Sequence, residues 1–148
     1  MMYPLVRTAR KLAAGQPLKI VAIGSSSTAG AGASGPDKTY PARLSVALQA
    51  RFPAHPIAVI NRGVNGEEAK DMIARIEGEV LSEDPDLILW QVGANAVLRD
   101  SPMPAVHSDI LHGLRRMKAA GADVVLNDPQ FEPKVLAKKH AAAMVQLL

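Results

Sequence analysis

The sequence predicts an α/β fold in which a mostly parallel sheet lies between two layers of helices, a three-layer α/β/α sandwich. Four short apolar runs recur along the chain, and segments with helical periodicity separate them. Strand and helix alternating at intervals of about 30–40 residues favour right-handed crossovers and hence parallel strands. The 148 residues are enough for about one domain, so we expect residues 1–148 to form a single domain.

The four predicted strands are nearly continuous apolar runs of four to six residues. Such runs are typical of strands that are buried on both faces of a parallel sheet. Trp90, in the third run, is therefore expected in the core, although it could also line a cleft beside Tyr40, Leu98 and Arg99. The runs are LKIVAI at 18–23, IAVI at 57–60, LILWQV at 87–92 and DVVL at 123–126.

The predicted helices lie between and after these strands. In each, apolar residues recur at helical intervals, and proline suits the first turn of a helix because it has no N–H to leave unpaired. Glycine near the end of a periodic segment indicates where the helix stops. We predict helices that begin near Pro41, after Gly66, near Pro104 and after Pro133, with the third ending near Gly121 and the fourth running to the chain end.

Composition excludes several classes of function. The net charge of +3 comes from scattered Lys and Arg, which does not favour nucleic acid as a partner. The absence of cysteine excludes disulfides, thiolate nucleophiles and cysteine-based zinc sites. No apolar run approaches the ~20 residues of a membrane span, and the N-terminus lacks the apolar core of a signal peptide. We expect no cofactor, no metal and, by default, a cytoplasmic location.

The loop after the first strand, GSSSTAGAGASG at residues 24–35, has several interpretations. Gly30–Gly35 matches the dinucleotide pattern G-x-G-x-x-G, but the strand ends about six residues earlier and Pro36 follows the last glycine. The Walker pattern fails because Lys38 is misplaced, and the G-x-S-x-G elbow fails because Thr28 stands where a glycine belongs. A nucleophilic serine and serines that merely cap the turn remain as alternatives.

Two further loops favour the nucleophile. Ligands bind outside the carboxyl ends of parallel strands, and each of three consecutive strands ends in a loop that carries suitable groups. Acyl transfer needs donors aimed at the developing oxyanion, and backbone amides and an Asn side chain are suitable donors. Gly66 offers a backbone amide in the second loop, and Asn95 offers a side-chain amide in the third. Each alone is more typical of a turn or cap, but their joint order points to one site.

These loops resemble the conserved blocks of the SGNH hydrolases, also called GDSL-type esterases. The family's Gly-Asp-Ser-Leu-Thr block is similar to residues 24–28, its Asn-x-Gly-x-x-Gly block to residues 61–66 and its Gly-x-Asn-Asp block to residues 93–96. The resemblance implies a flavodoxin-like sheet, Ser26 as nucleophile and backbone oxyanion donor, and Gly66 and Asn95 as further oxyanion donors. Ser25 and Ala96 stand where the family has aspartates.

The family's last block, Asp-x-x-His, has no counterpart after the fourth strand. The pattern occurs in the last third of the sequence only at Asp109–His112, inside a predicted helix from which both groups could not reach a strand-end loop. The resemblance therefore implies a C-terminally truncated domain. Solvated surface is the favoured interpretation for His55, His107, His112 and His140, of which His140 is the least unfavourable substitute base.

The resulting prediction is a serine esterase that hydrolyses a small acylated substrate through an acyl-Ser26 intermediate. The alternative is a domain, or fragment, that is catalytically inactive because it lacks a general base. Such a domain would bind an acetylated or anionic ligand without hydrolysing it. Without a fifth strand, the fourth strand would expose unpaired backbone groups, so we also expect self-association through this edge.

Overall fold

The computed structural model describes residues 4–128 and 133–148. Four parallel strands form one sheet, and their order across it is β2-β1-β3-β4. β1 and β3 are therefore central, whereas β2 and β4 are the outer strands of the described sheet. The strands are β1 (Leu18–Gly24), β2 (Ile57–Gly63), β3 (Leu87–Gln91) and β4 (Asp123–Asn127).

Helices cover both faces of this sheet. The helices are α1 (Val6–Ala13), α2 (Ser26–Ala29), α3 (Tyr40–Arg51), α4 (Ala69–Glu79), α5 (Ala94–Leu98), α6 (Met103–Ala119), α7 (Pro133–Leu136) and α8 (Ala141–Leu147), with 3-10 turns at Pro36–Lys38 and Leu81–Glu83. On one face, Val21, Ile23 and Ile88 pack with apolar residues of α4, α6 and α8. On the other face, Ile20 and Ala22 pack with apolar residues of α1 and α3. The predicted three-layer α/β/α architecture is confirmed.

All four predicted strands are confirmed, as are the helices α3, α4 and α6. The prediction of one continuous last helix is wrong, because α7 ends at Leu136 and α8 begins at Ala141. In the intervening turn Lys138 Nζ donates to the Asp100 carboxylate at 2.7 Å, a long-range contact that the local sequence pattern does not reveal. Trp90 is fully buried, and its ring N–H donates to Met72 Sδ at 3.1 Å, so it belongs to the core and not to a cleft.

At the amino ends of the strands, α1 is bonded to a buried carboxylate. Asp86, whose side chain is 1% exposed, accepts from Arg7 Nε at 2.7 Å, Lys11 Nζ at 2.9 Å and the Lys19 N–H at 2.9 Å. Burial by itself would raise the pKa of Asp86, but these donors lower it below its ordinary value. α1 is held further by Asp123, which accepts from the Thr8 N–H at 2.7 Å.

In the described part of the chain, none of the helices combines the length and the apolar character that a membrane crossing requires.

Candidate active site

Ser26 lies directly after the central strand β1. That strand ends at Gly24, and Ser26 is the first residue of the one-turn helix α2. Its neighbour Ser25 is 3% exposed, whereas Ser26 is half-buried. The N–H groups of Thr28 and Ala29 bond to the Ser25 carbonyl at 3.1 and 2.9 Å, whereas those of Ser26 and Ser27 have no acceptor among the described residues, as is usual at the start of a helix.

Gln91, the last residue of β3, supports this turn through hydrogen bonds. Its side chain is buried, and its Oε1 accepts from the Ser25 N–H at 3.0 Å, from Ser25 Oγ at 3.1 Å and from Thr28 Oγ1 at 3.3 Å. The hydroxyls of Ser25 and Thr28 are thus bonded inside the protein, which leaves Ser26 and Ser27 as the two half-buried serines between them. The sequence analysis missed Gln91, although a polar residue in a run of buried apolar ones was a usable signal.

The second block positions α2 from the side of β2. A Cβ added at Gly63 would lie 2.1 Å from the Ala29 backbone nitrogen, so only glycine allows the strand and the helix to approach this closely. Asn61 Nδ2 donates to the Thr28 carbonyl at 2.8 Å, and Asn61 Oδ1 accepts from the Gly63 N–H at 2.9 Å. Asn61 and Gly63 therefore hold the turn that carries Ser26 in place against β2.

Gly66 follows in an exposed loop between β2 and α4. Its φ of +81° lies in the left-handed region that glycine adopts without strain. The structure records no acceptor for its N–H among residues 4–128 and 133–148. The loop then enters α4 through a capping box, in which Glu68 and Asp71 each accept from the other's backbone N–H. The backbone at Gly66 is thus attached to a fixed helix start, with its amide available to a ligand.

Asn95 reaches this same loop from the end of β3. It is the second residue of α5, and its Nδ2 donates to the Glu67 carbonyl at 2.8 Å. Because a side-chain amide carries two N–H groups, one remains for a ligand. The structure therefore brings Asn95 into contact with the residue next to Gly66. Ser26 lies at the same edge of the sheet, between them in strand order, and is hydrogen-bonded to neither.

No histidine in the described ranges is hydrogen-bonded to Ser26. His107 and His112 are exposed on α6, as predicted. The prediction of a solvated His55 is wrong, because this half-buried ring bonds to the Leu12 carbonyl at 2.9 Å through Nε2 and packs on Phe52. His140 is half-buried immediately before α8, and its ring is not hydrogen-bonded to any side chain in the described part of the chain.

A hollow of about 510 Å³ lies beside α2, and Ser26, Gly66 and Asn95 are not among the residues that line it. Ala29, Pro36, Thr39 and Asn61 contribute to its walls. The loop after Gly30 forms one side of this hollow.

Comparison with known proteins identifies a family whose model matches this sequence. The model of the Non-GDSL lipase-like family matches residues 1–148. The chain is 35% identical over 65 residues to an acetylxylan esterase of Geobacillus stearothermophilus, covering 44% of this chain and 30% of that protein. It is 29% identical over 97 residues to an arylesterase of Vibrio mimicus, covering 66% of this chain and 48% of that protein. The chain thus spans less than half the length of either relative.

Solved structures share the fold. A two-domain esterase (CEX) active on acetylated mannans superposes with a TM-score of 0.75 and 25% identity, covering 84% of this chain and 33% of that one. A putative lipolytic protein of the G-D-S-L family from Desulfitobacterium hafniense gives a TM-score of 0.69 and 24% identity, covering 87% of this chain and 66% of that one.

Proposed function

The chain belongs to the Non-GDSL lipase-like family, an esterase-type family of hydrolases, and from this premise we propose that it hydrolyses a small acylated ester through an acyl-Ser26 intermediate. The names of two similar proteins, an acetylxylan esterase and an esterase active on acetylated mannans, favour an acetyl ester as the substrate. Ser26 is the nucleophile, and the oxyanion donors are the N–H groups of Ser26 and Gly66 and the side-chain amide of Asn95.

The order of the strands supports this proposal most strongly. The blocks that carry Gly66, Ser26 and Asn95 follow β2, β1 and β3, which are adjacent in the sheet. The bond of 2.8 Å from Asn95 Nδ2 to the Glu67 carbonyl joins the first and the last of these blocks. Three loops that are far apart in sequence therefore meet at one edge, as a single carbonyl-binding site requires.

In the proposed reaction Ser26 Oγ attacks the ester carbonyl carbon while a base accepts the hydroxyl proton. Negative charge develops on the carbonyl oxygen, where the three donors stabilise it; removing one such donor in a well-studied protease costs about 2.7–4 kcal/mol of transition-state stabilisation. The C–O bond to the alcohol then breaks, and the alcohol leaves with the proton. Water attacks the acyl-Ser26 ester in the same way and regenerates the serine.

The base is the component that the described residues do not supply. Asp-x-x-His occurs in the last third of the sequence only at Asp109–His112, which lies within α6, away from the strand-end loops. The family resemblance implies an Asp-x-x-His pair as the base, and we propose that a base added from solution can substitute for it in this chain. In a serine protease the oxyanion hole and binding alone retain about 10³–10⁴-fold acceleration over water.

Added imidazole can act as that substitute base and tests the proposal. We expect hydrolysis of a mono-acetylated methyl pentopyranoside, followed by NMR, to rise saturably with imidazole in the unmodified chain. Ser26→Ala should abolish this increase, whereas the matched control Ser27→Ala, at the next and equally half-buried serine, should retain it. Equal rates in the unmodified chain and in Ser26→Ala would refute the proposed nucleophile.

A non-catalytic binding domain is the second candidate. The observation that favours it is that no histidine of residues 4–128 and 133–148 is hydrogen-bonded to Ser26. It predicts that the acetylated pentopyranoside shifts the NMR signals of the Gly66 and Asn95 amides, while imidazole produces no Ser26-dependent turnover. Turnover that depends on Ser26 would exclude this candidate.

A further inference from the structure

A charged side chain lies directly beside the proposed oxyanion donors. Arg99 follows Asn95 by four residues at the end of α5, and its N–H bonds to the Asn95 carbonyl at 3.0 Å. Residues four apart share one face of a helix. Accordingly, both side chains reach the loop of residues 66–68, where Asn95 binds the Glu67 carbonyl and Arg99 binds the Glu68 carboxylate.

The Arg99 guanidinium is held at this position by specific contacts. Its NH1 donates to Glu68 Oε1 at 2.9 Å, and Ser101 Oγ donates to the other carboxylate oxygen, Oε2, at 3.0 Å. The Glu68 side chain is 11% exposed, whereas that of Arg99 is 52% exposed. The NH2 group lies 3.6 Å from the position that a Cβ on Gly66 would occupy. One edge of the guanidinium is thus anchored, and NH2 lies beside the oxyanion glycine.

This arrangement distinguishes between kinds of ester. A substrate carbonyl bound at Gly66 places its substituents near the Arg99 guanidinium. An apolar substituent would remove water from that charged group and offer no hydrogen bond in exchange, which is unfavourable. A hydroxyl group can accept from the guanidinium N–H, and a site built around such a bond discriminates against analogues that lack the hydroxyl. An acetyl group has no polar atom beyond its carbonyl, so the substituent that Arg99 can recognise is the alcohol.

Building on the proposed site of Ser26, Gly66 and Asn95, we infer that Arg99 is a specificity-determining residue that selects acetyl esters whose alcohol carries free hydroxyl groups. Glu68 is its positioning residue, because the carboxylate fixes the guanidinium beside Gly66. The substrate class is therefore a polyhydroxylated acetyl ester, and esters of plain alkyl alcohols bind more weakly.

Binding to a chain that cannot turn the ester over tests this inference. In a Ser26→Ala background, NMR titrations give the Kd of a mono-acetylated methyl pentopyranoside and of cyclohexyl acetate, which has a similar ring without hydroxyls. We expect the hydroxylated ester to bind about tenfold more tightly, the effect of one hydrogen bond to a charged group. Arg99→Met should remove most of this preference, and Arg99→Lys, which keeps the charge without the planar fork, should retain part of it.

Arg43→Met is the matched control, because Arg43 is an exposed arginine on α3. It should leave the preference between the two esters unchanged. The inference is overturned if the parent chain shows no preference, or if Arg99→Met retains it in full while circular dichroism shows a folded protein. Failure of the proposed hydrolysis would instead appear in the imidazole experiment with Ser26 present, so the two outcomes remain distinguishable.

Discussion

At the amino ends of the strands the carboxylate of Asp86 is buried and paired, whereas at the carboxyl ends Ser26 is half-buried and the loop of Gly66 is exposed. Asp86 at the amino end is 1% exposed and bonded to two cationic side chains and one backbone N–H. At the carboxyl end Ser26 is half-buried and the Gly66 N–H has no acceptor among the described residues. The two ends of the sheet thus differ in whether their polar groups are paired within the protein or available to a ligand.

The difference indicates that Asp86 mainly stabilises the fold, whereas Ser26 and the Gly66 N–H are available for chemistry. A satisfied buried carboxylate contributes to holding the fold together, and removing it leaves its partners uncompensated. Free N–H groups and a half-buried hydroxyl contribute little to folding, but they are available to a ligand. Substitutions at the two ends should therefore have opposite profiles, with large effects on stability at the amino end and on reactivity at the carboxyl end.

Asp86→Ala should have the largest effect on stability. It removes the carboxylate that pairs with Arg7 and Lys11, and breaking a buried ion pair costs about 3–5 kcal/mol. Urea denaturation should show a loss of this size in the free energy of unfolding. Asp37→Ala is the control, because the Asp37 side chain is 70% exposed and pairs with the neighbouring Lys38, so its loss should cost at most about 1 kcal/mol. Similar losses in the two variants would contradict the comparison.

The contribution of Asp86 should also depend on pH. Its pKa is lowered in the folded protein, so its stabilisation is present above the ordinary aspartate value of about 3.9 and is lost as the pH falls through the lower folded value. The difference in unfolding free energy between the unmodified chain and Asp86→Asn should therefore shrink below about pH 4. Urea titrations at pH 7 and at about pH 3 measure this, and a difference that grows in acid would contradict the proposed ionic role.

Gln91→Leu should have an intermediate effect on stability. It leaves the Ser25 N–H and two hydroxyls without their acceptor, which costs about 1–3 kcal/mol. The cost should lie at the lower end, because Gln91 Nε2 is itself buried without an acceptor in the described residues. Unlike Asp86→Ala, this variant should also slow the imidazole-dependent hydrolysis, since the turn that carries Ser26 loses its support. The exposed Gln49→Leu should change neither quantity.

Ser26→Ala should have the smallest effect on stability and the largest on reactivity. Its hydroxyl is half-buried and is not hydrogen-bonded to any of residues 4–128 and 133–148, so the unfolding free energy should change by less than about 0.5 kcal/mol. A destabilisation as large as that of Gln91→Leu would show that Ser26 supports the fold and would remove the contrast between the two ends.

The periodic, apolar parts of the fold were predictable from sequence, and the parts held by distant contacts were not. The strands were recognised because they are buried on both faces. α1 was missed because long-range bonds secure it, among them the 2.7 Å bond from the Thr8 N–H to Asp123. α2 and α5 are a turn or little more in length, too short to develop a periodic pattern.

In the site, the three blocks identified Ser26, Gly66 and Asn95, and these assignments stay predictions. How these residues are supported depends on contacts between distant parts of the chain. Gln91 acts through an acceptor oxygen that becomes relevant only when β3 lies beside β1, and Arg99 gains its position from Glu68, which lies 31 residues away in sequence. Self-association also stays a prediction, although β4 is an outer strand of the described sheet, as expected.

The central claim is that the carboxyl ends of the strands carry one nucleophile, Ser26. Treating the chain with a fluorophosphonate in the presence of imidazole, followed by peptide mass mapping, tests it most directly. We predict a single adduct on Ser26, with none on Ser25, whose hydroxyl is bonded to Gln91, and none on Ser27. An adduct on another serine, or equal labelling of the unmodified chain and Ser26→Ala, would contradict the account.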